Sequence, residues 1–181
     1  MGTLFVISGS SGVGKGTVIK KFLEKHPEIK LSVSCTTRKP REGEEHGINY
    51  FFLEPDDFKT CVNNDEFLEW AEFSGNMYGT KKAYVEKCLS EGKNLILEID
   101  TKGALNVKSL KKDAVLIFIL PPSFEELEAR LRGRHTETEE AIQRRLASTK
   151  LEMENAKQFD YQVVNDNIDN AVSELEKIIL S

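Results

Sequence analysis

No apolar run in the 181-residue sequence approaches the roughly 20 residues needed to span a bilayer. The N-terminus opens on LFVIS, Leu4 to Ser8, where a secretory signal would place charge followed by a long apolar segment. Together these absences predict a cytoplasmic chain. Cysteine is scarce: Cys35, Cys61 and Cys88 are odd in number and far apart, which argues against a disulfide framework or a metal knuckle and predicts small buried or half-buried thiols. Positive charge is in the minority. A formal net charge of −5 predicts no nucleic-acid partner and no membrane surface, since either would reward a basic face, although a local basic cleft is still allowed. Repeats and low-complexity linkers are also missing, and 39% hydrophobic residues suffice for one globular core.

What is present alternates. LFVIS, NLILEI (Asn94 to Ile99) and AVLIFIL (Ala114 to Leu120) are short continuous apolar runs, as fully buried parallel strands should be, and YQVVN (Tyr161 to Asn165) is a weaker fourth. Between and after them lie helical patterns: TVIKKFLEK, KKAYVEKCLSEG, FEELEARLR and IDNAVSELEKIIL. The alternation predicts an α/β parallel sheet with helices on both faces. Two stretches break the rhythm. Residues from about Ser32 to Tyr78, with INYFF, EFLEWAEF and a Gly75–Asn76 turn, predict a small mixed lobe of hairpin character; if Glu69 and Tyr78 are no more than surface positions on that hairpin, Trp70 and Phe73 supply its core. RGRHTETEE, Arg132 to Glu140, is polar and predicts a loop, followed by a helix whose buried stripe holds Ile142, Leu146, Met153 and Ala156.

GSSGVGKGT, Gly9 to Thr17, joins the first strand to the first helix. The pattern G-x-x-x-x-G-K needs its glycines so that backbone amides can turn inward around an anion, with the helix N-terminus adding partial positive charge. Gly9, Ser10, Ser11, Gly12, Val13, Gly14, Lys15, Gly16 and Thr17 therefore predict a nucleotide phosphate loop, with Lys15 reaching the terminal phosphates. Gly16 stands where a hydroxyl residue usually ligates magnesium. Thr17 follows to bond phosphate oxygens, and Mg²⁺ is expected on phosphates and waters, with no protein ligand assigned. The strand at Asn94 ends in acid, and Glu98 and Asp100 are expected on one strand face at the end where parallel sheets bind ligands. Asp100 has a competing role as the cap of a helix starting near Lys102. DTKG, Asp100 to Gly103, also fits the D-x-x-G of GTP-hydrolysing switches, but no N-K-x-D base-reading motif accompanies it.

The remaining signals are basic. SVSCTTRKPREGEEHGINYFF places Arg38 and Arg41 in a loop with Ser34 before and Tyr50 after, two guanidinium forks and two hydroxyls able to grip a terminal phosphate. Five of the seven arginines, Arg130, Arg132, Arg134, Arg144 and Arg145, fall in one short region. Arg132 and Arg144 read as a solvated, salt-bridged face with Glu125, Glu126 and Glu139.

TTRKPREGEEHGINYFF, Thr36 to Phe52, resembles the guanylate kinase signature T-[ST]-R-x-x-[KR]-x-x-[DE]-x-x-G-x-x-Y-x-[FY] at every fixed position. FLEWAEFSGNMYGT, LEIDTKGA and RLRGRHTETEEAIQRRL are similar to that family too, so the resemblance runs from about Thr3 to Asn165. It departs at Ser10 and His135, where proline and glycine are frequent. The resemblance implies a P-loop core (1–33, 81–125 and 150–181), a small mixed α+β GMP-binding lobe (34–80) and a helical lid (126–149). It implies ATP and GMP as substrates, giving ADP and GDP with Mg²⁺, and dGMP as a further acceptor. Carried residue by residue, Ser34, Arg38, Arg41, Tyr50 and Tyr78 would hold the GMP phosphate, and Glu69, Thr80 and Asp100 would read guanine. Lys15, Arg134 and Arg145 would be catalytic, with Arg130 on ATP. Two alternatives stay open: a non-catalytic module of the same fold that binds phosphopeptides, and a P-loop kinase for another phosphorylated acceptor. Oligomeric state is not legible.

Overall fold

The computed structural model describes residues 1–10, 12–73, 75–133 and 138–181, leaving aside the side chains of Arg130, Leu131 and Arg145. The chain runs β1 (Leu4–Gly9), α1 (Lys15–Lys25), β2 (Lys30–Leu31), β3 (Cys35–Thr36), β4 (Phe51–Phe52), α2 (Pro55–Asn63), β5 (Phe67–Phe73), β6 (Asn76–Lys81) and α3 (Lys82–Ser90). It continues through β7 (Leu95–Glu98), α4 (Thr101–Leu110), β8 (Val115–Leu120), α5 (Phe124–Gly133), α6 (Glu139–Asn155), β9 (Tyr161–Val164) and α7 (Ile168–Ile179). All four expected strands and the helices after them are present.

The larger sheet has the order β2-β7-β1-β8-β9 and is parallel throughout. Both of its faces are covered, which is why its central strands β1, β7 and β8 are apolar over most of their length. Successive side chains point to opposite faces. Leu4, Val6, Leu95, Leu97, Leu116 and Phe118 pack with Val85 and Leu89 of α3 and Ala104 and Val107 of α4. Phe5, Ile7, Ile96, Ile117 and Ile119 pack on the other face with Val18, Ile19 and Phe22 of α1 and Val172, Leu175 and Ile179 of α7.

The second sheet, β4-β3-β6-β5, is mixed. β5 and β6 form the hairpin expected around Gly75, whose φ of 75° is left-handed. The sequence pattern did not reveal α2, which fills its open side. Pro55 at its first turn with Asp56 and Asp57 is a proper helix start, but its apolar face is short, with Phe58 buried and Cys61 and Val62 half-buried beside it. The expected lobe core needs correction: Trp70 is 45% and Phe73 66% exposed, and the packing comes from Cys35, Phe58 and Phe67. β5 buries its first three residues, Phe67, Leu68 and Glu69, and is mostly exposed from Trp70 onward.

α5 and α6 pack through Leu127, Ile142 and Leu146. The predicted stripe holds at Ile142 and Leu146, with Thr149 buried beyond them and Met153 half-buried. Arg132 ion-pairs with Glu128 and Glu139, the surface role expected of it, though Glu128 replaces Glu125 and Glu126 as its helical partner.

Candidate functional site

A cavity of about 360 Å³ opens between the two sheets at the C-terminal ends of β1 and β7. This is where a parallel sheet presents its ligands, because the loops leaving the strands there diverge around an opening. Lys15, Ser34, Tyr50, Glu69, Tyr78, Glu98 and Asp100 all line it. The phosphate-loop lysine and the carboxylates expected to read a base therefore share one space.

At the core side, Gly12 and Gly14 adopt φ of 81° and 87°, left-handed values that side chains rarely take and that fold the loop onto the start of α1. Lys15 Nζ crosses the loop to the Ile99 carbonyl oxygen at 3.4 Å and lies 3.9 Å from Glu98 Oε1. Burial lowers its pKa, against the attraction of Glu98 and then Asp100. A second cavity, about 350 Å³, lies on the other flank of the loop between Gly12, Thr17, Asn165 and Asp166.

At the lobe side, Glu69 is buried and its Oε1 accepts a hydrogen bond of 2.8 Å from the Thr80 hydroxyl across the β5/β6 hairpin. Burial pushes its carboxyl up to about 7, with the Thr80 bond opposing and the Asp100 charge adding. Thr80 is fully buried and does not line the cavity; it anchors Glu69 from behind. Asp100 lies beyond the end of β7 and caps α4, accepting from the Gly103 amide at 2.6 Å. The expectation that it shares a strand face with Glu98 is thereby corrected. Its capping role and its place in the cavity coexist, since a carboxylate has two oxygens.

The group expected to grip a phosphate is arranged in part. Tyr50 and Tyr78 meet edge to face with ring centroids 6.2 Å apart, and the Arg38 guanidinium lies 5.4 Å from the Tyr50 ring. Burial raises the Tyr50 hydroxyl's pKa, as does the Glu98 charge. Arg38 does not line the cavity; its Nη2 donates to Glu44 Oε1 at 2.9 Å, and Arg41, exposed, gives its backbone amide to Glu44 Oε2 at 2.8 Å. Glu44 was missed as a functional residue although it fills the fixed acidic position of the motif. Gly103 was missed as well: a β-carbon there would stand 2.9 Å from Glu69 Oε2 and 3.2 Å from Asp100 Oδ1. Ser11, Arg134 and the side chains of Arg130 and Arg145 lie outside the described residues.

Comparison with known proteins agrees with this geometry. The family model described as guanylate kinase matches residues 1–181. A guanylate kinase of Clostridium perfringens (strain SM101) is 53% identical over 180 residues, covering 99% of this chain and 83% of that protein. One from Synechococcus sp. (strain CC9902) is 52% identical over 175 residues, covering 97% and 94%. The crystal structure of guanylate kinase from Anaplasma phagocytophilum superposes with a TM-score of 0.80 at 32% identity, covering 99% of this chain and 85% of that one. A shikimate kinase from Bacteroides thetaiotaomicron shares the fold alone, with a TM-score of 0.52 at 12% identity and 99% of each chain covered. From the phosphate loop through the buried Glu69–Thr80 pair to the match over its full length, the chain belongs to the guanylate kinase family.

Proposed function

We propose that the larger cavity takes GMP, that the phosphate loop takes ATP, and that the γ-phosphoryl group passes between them, giving ADP and GDP; dGMP is a further acceptor. The observation that carries this reading is that a buried carboxylate, Glu69, and the phosphate-loop lysine, Lys15, line one cavity. Guanine presents a ring imino hydrogen and an exocyclic amine side by side, and a carboxylate accepts both. Adenine lacks that paired donor edge and would leave a buried acid unsatisfied, a mismatch of the kind that discriminates by about 10⁴ or more. A phosphopeptide-binding module has no use for the lysine.

Ser34, Tyr50 and Tyr78 hold the GMP phosphate, with the Arg38 guanidinium turning to it from Glu44 and the exposed Arg41 side chain joining it. Thr80 keeps the Glu69 carboxylate aimed at guanine, and Asp100 offers its second oxygen. Gly9 to Thr17 cradle the ATP phosphates, and Lys15 moves from Ile99 and Glu98 to the transferring group. The attacking phosphate oxygen is already an anion, so no base is needed; the demand is for positive charge where two anions converge. Arg134 and Arg145 supply it from the lid (126–149), with Arg130 on ATP, as the lobe (34–80) and lid close on the core and exclude water.

Gly16 offers no hydroxyl, but a β-carbon there would stand 3.7 Å from Glu98 Oε1. A carboxylate thus already faces the place a hydroxyl would fill, and hard oxygen donors are what magnesium takes. Glu98, with phosphates and waters, would hold Mg²⁺, which offsets charge on the β- and γ-phosphates when bound. The setting is the cytoplasm, where three free thiols stay reduced. A coupled assay of ADP release with MgATP and GMP, AMP, CMP or UMP tests the whole. GMP alone should support rapid release, and equal rates with AMP or no dependence on GMP would refute it.

A further inference from the structure

Asn165 follows β9 and is 5% exposed. Its backbone amide donates to the Leu120 carbonyl at 2.8 Å, which pins it to the end of β8. Its side-chain Nδ2 reaches back 152 residues to the Val13 carbonyl at 2.7 Å. That bond fixes the orientation of the amide, since a carbonyl can only accept and only the nitrogen can donate. The same nitrogen lies 3.0 Å from where a β-carbon on Gly14 would stand, so it fills the space beneath the loop's last turn.

The consequence follows from peptide geometry. The peptide between Val13 and Gly14 is planar and trans, so its C=O and N–H point in opposite directions. Holding the Val13 oxygen outward, against Asn165, turns the Gly14 N–H inward, into the concavity the loop offers to an anion. The left-handed φ of 87° at Gly14 is the conformation that this arrangement needs. With no anion bound, inward-pointing amides repel one another, and a fixed external donor on the far side of one peptide is what keeps them convergent.

We infer that Asn165 is a positioning residue for the reaction: it sets the orientation of the Val13–Gly14 peptide and so prepares the phosphate loop for ATP. It makes this contribution through the loop backbone. The inference rests on the phosphate loop being the ATP site, as proposed above.

The test compares Asn165→Asp and Asn165→Ala with wild type by calorimetric binding of a non-hydrolysable ATP analogue with magnesium, by separate binding of GMP, and by steady-state kinetics. In both variants, analogue affinity should fall and KM for ATP should rise by about 10- to 100-fold, the loss typical when reacting groups are held slightly out of place. GMP affinity should stay within about twofold, because the GMP cavity is built from other residues. Asn165→Asp carries a further signature. Its carboxylate faces a carbonyl oxygen and repels it, whereas the protonated acid is again a donor. Analogue affinity of Asn165→Asp, relative to wild type, should therefore recover as pH falls through the carboxyl's pKa, while Asn165→Ala should show no recovery. Unchanged analogue affinity in the two variants would overturn the inference, as would a loss of ATP and GMP binding together with a lowered Tm and no recovery at low pH. Should Asn165→Asp not fold, unchanged analogue affinity in Asn165→Ala is sufficient to overturn it. Failure of wild type to bind the analogue at all would instead refute the assignment of the ATP site.

Discussion

With Glu69 reading guanine as proposed, its buried carboxylate should make GMP binding a proton-linked event. Its carboxyl rises from 4.5 to about 7 because burial disfavours the ion, with Thr80 offsetting part of that and Asp100 adding to it. Guanine's two hydrogens need an acceptor, so only the ionised form binds GMP well. With half of the free sites protonated near pH 7, GMP affinity should be about tenfold lower at pH 6 than at pH 8. The sign for stability is the reverse. A carboxyl whose folded pKa is raised costs nothing below about pH 4.5, and its full penalty is present above about pH 7. Each tenfold in proton affinity is worth about 1.4 kcal/mol, so the ionised residue costs the empty protein about 3 kcal/mol. Glu69→Gln, which removes the charge and keeps the shape, should bind GMP about 10- to 100-fold more weakly at pH 8 and yet unfold at a higher temperature there. Calorimetric titration with GMP at steps from pH 6 to 8 reads the first effect, and thermal unfolding over the same range reads the second. The GMP phosphate also titrates near pH 6, so the variant's remaining pH dependence is the baseline to subtract. Equal pH dependence in wild type and variant, with no gain in Tm, would refute the argument.

Two more outcomes follow from the same site. Gly103→Ala places a β-carbon 2.9 Å from Glu69 Oε2 and 3.2 Å from Asp100 Oδ1, so KM for GMP should rise by about tenfold or more, while Tm holds or rises because alanine favours the helix by about 1 kcal/mol; an unchanged KM means the carboxylate moves aside freely. Glu44→Gln loosens the Arg38 fork and the Arg41 amide together, and KM for GMP should rise by about fivefold or more with little change in KM for ATP. A drop in KM for GMP would instead identify Glu44 as a competitor of the phosphate for Arg38.

Local patterns carried the fold a long way. A parallel strand buried on both faces writes itself as a continuous apolar run, and a phosphate loop needs its glycines and lysine at fixed spacing whatever surrounds them, so β1, β7, β8 and Lys15 were legible without coordinates. α2 was not, because its apolar face is only one turn long, Phe58 with the half-buried Cys61 and Val62. Trp70 and Phe73 misled for the complementary reason: apolar character does not say which residues of an exposed hairpin find a partner.

The sequence by itself determined the chemistry on offer: a phosphate cradle, guanidinium forks, hydroxyls and acids, each in a stretch short enough for spacing to identify. Only the tertiary structure decided which of these act on one another. It sealed Thr80 behind Glu69, put the Asp100 that caps α4 on the wall of the cavity, held Arg38 and the Arg41 amide on Glu44, and brought Asn165 beneath a loop 152 residues away. Those contacts depend on burial and on long-range closure of the chain. Neither leaves a local pattern in the order of residues, because a carboxylate reads the same in a solvated turn as in a cavity that lifts its pKa to about 7.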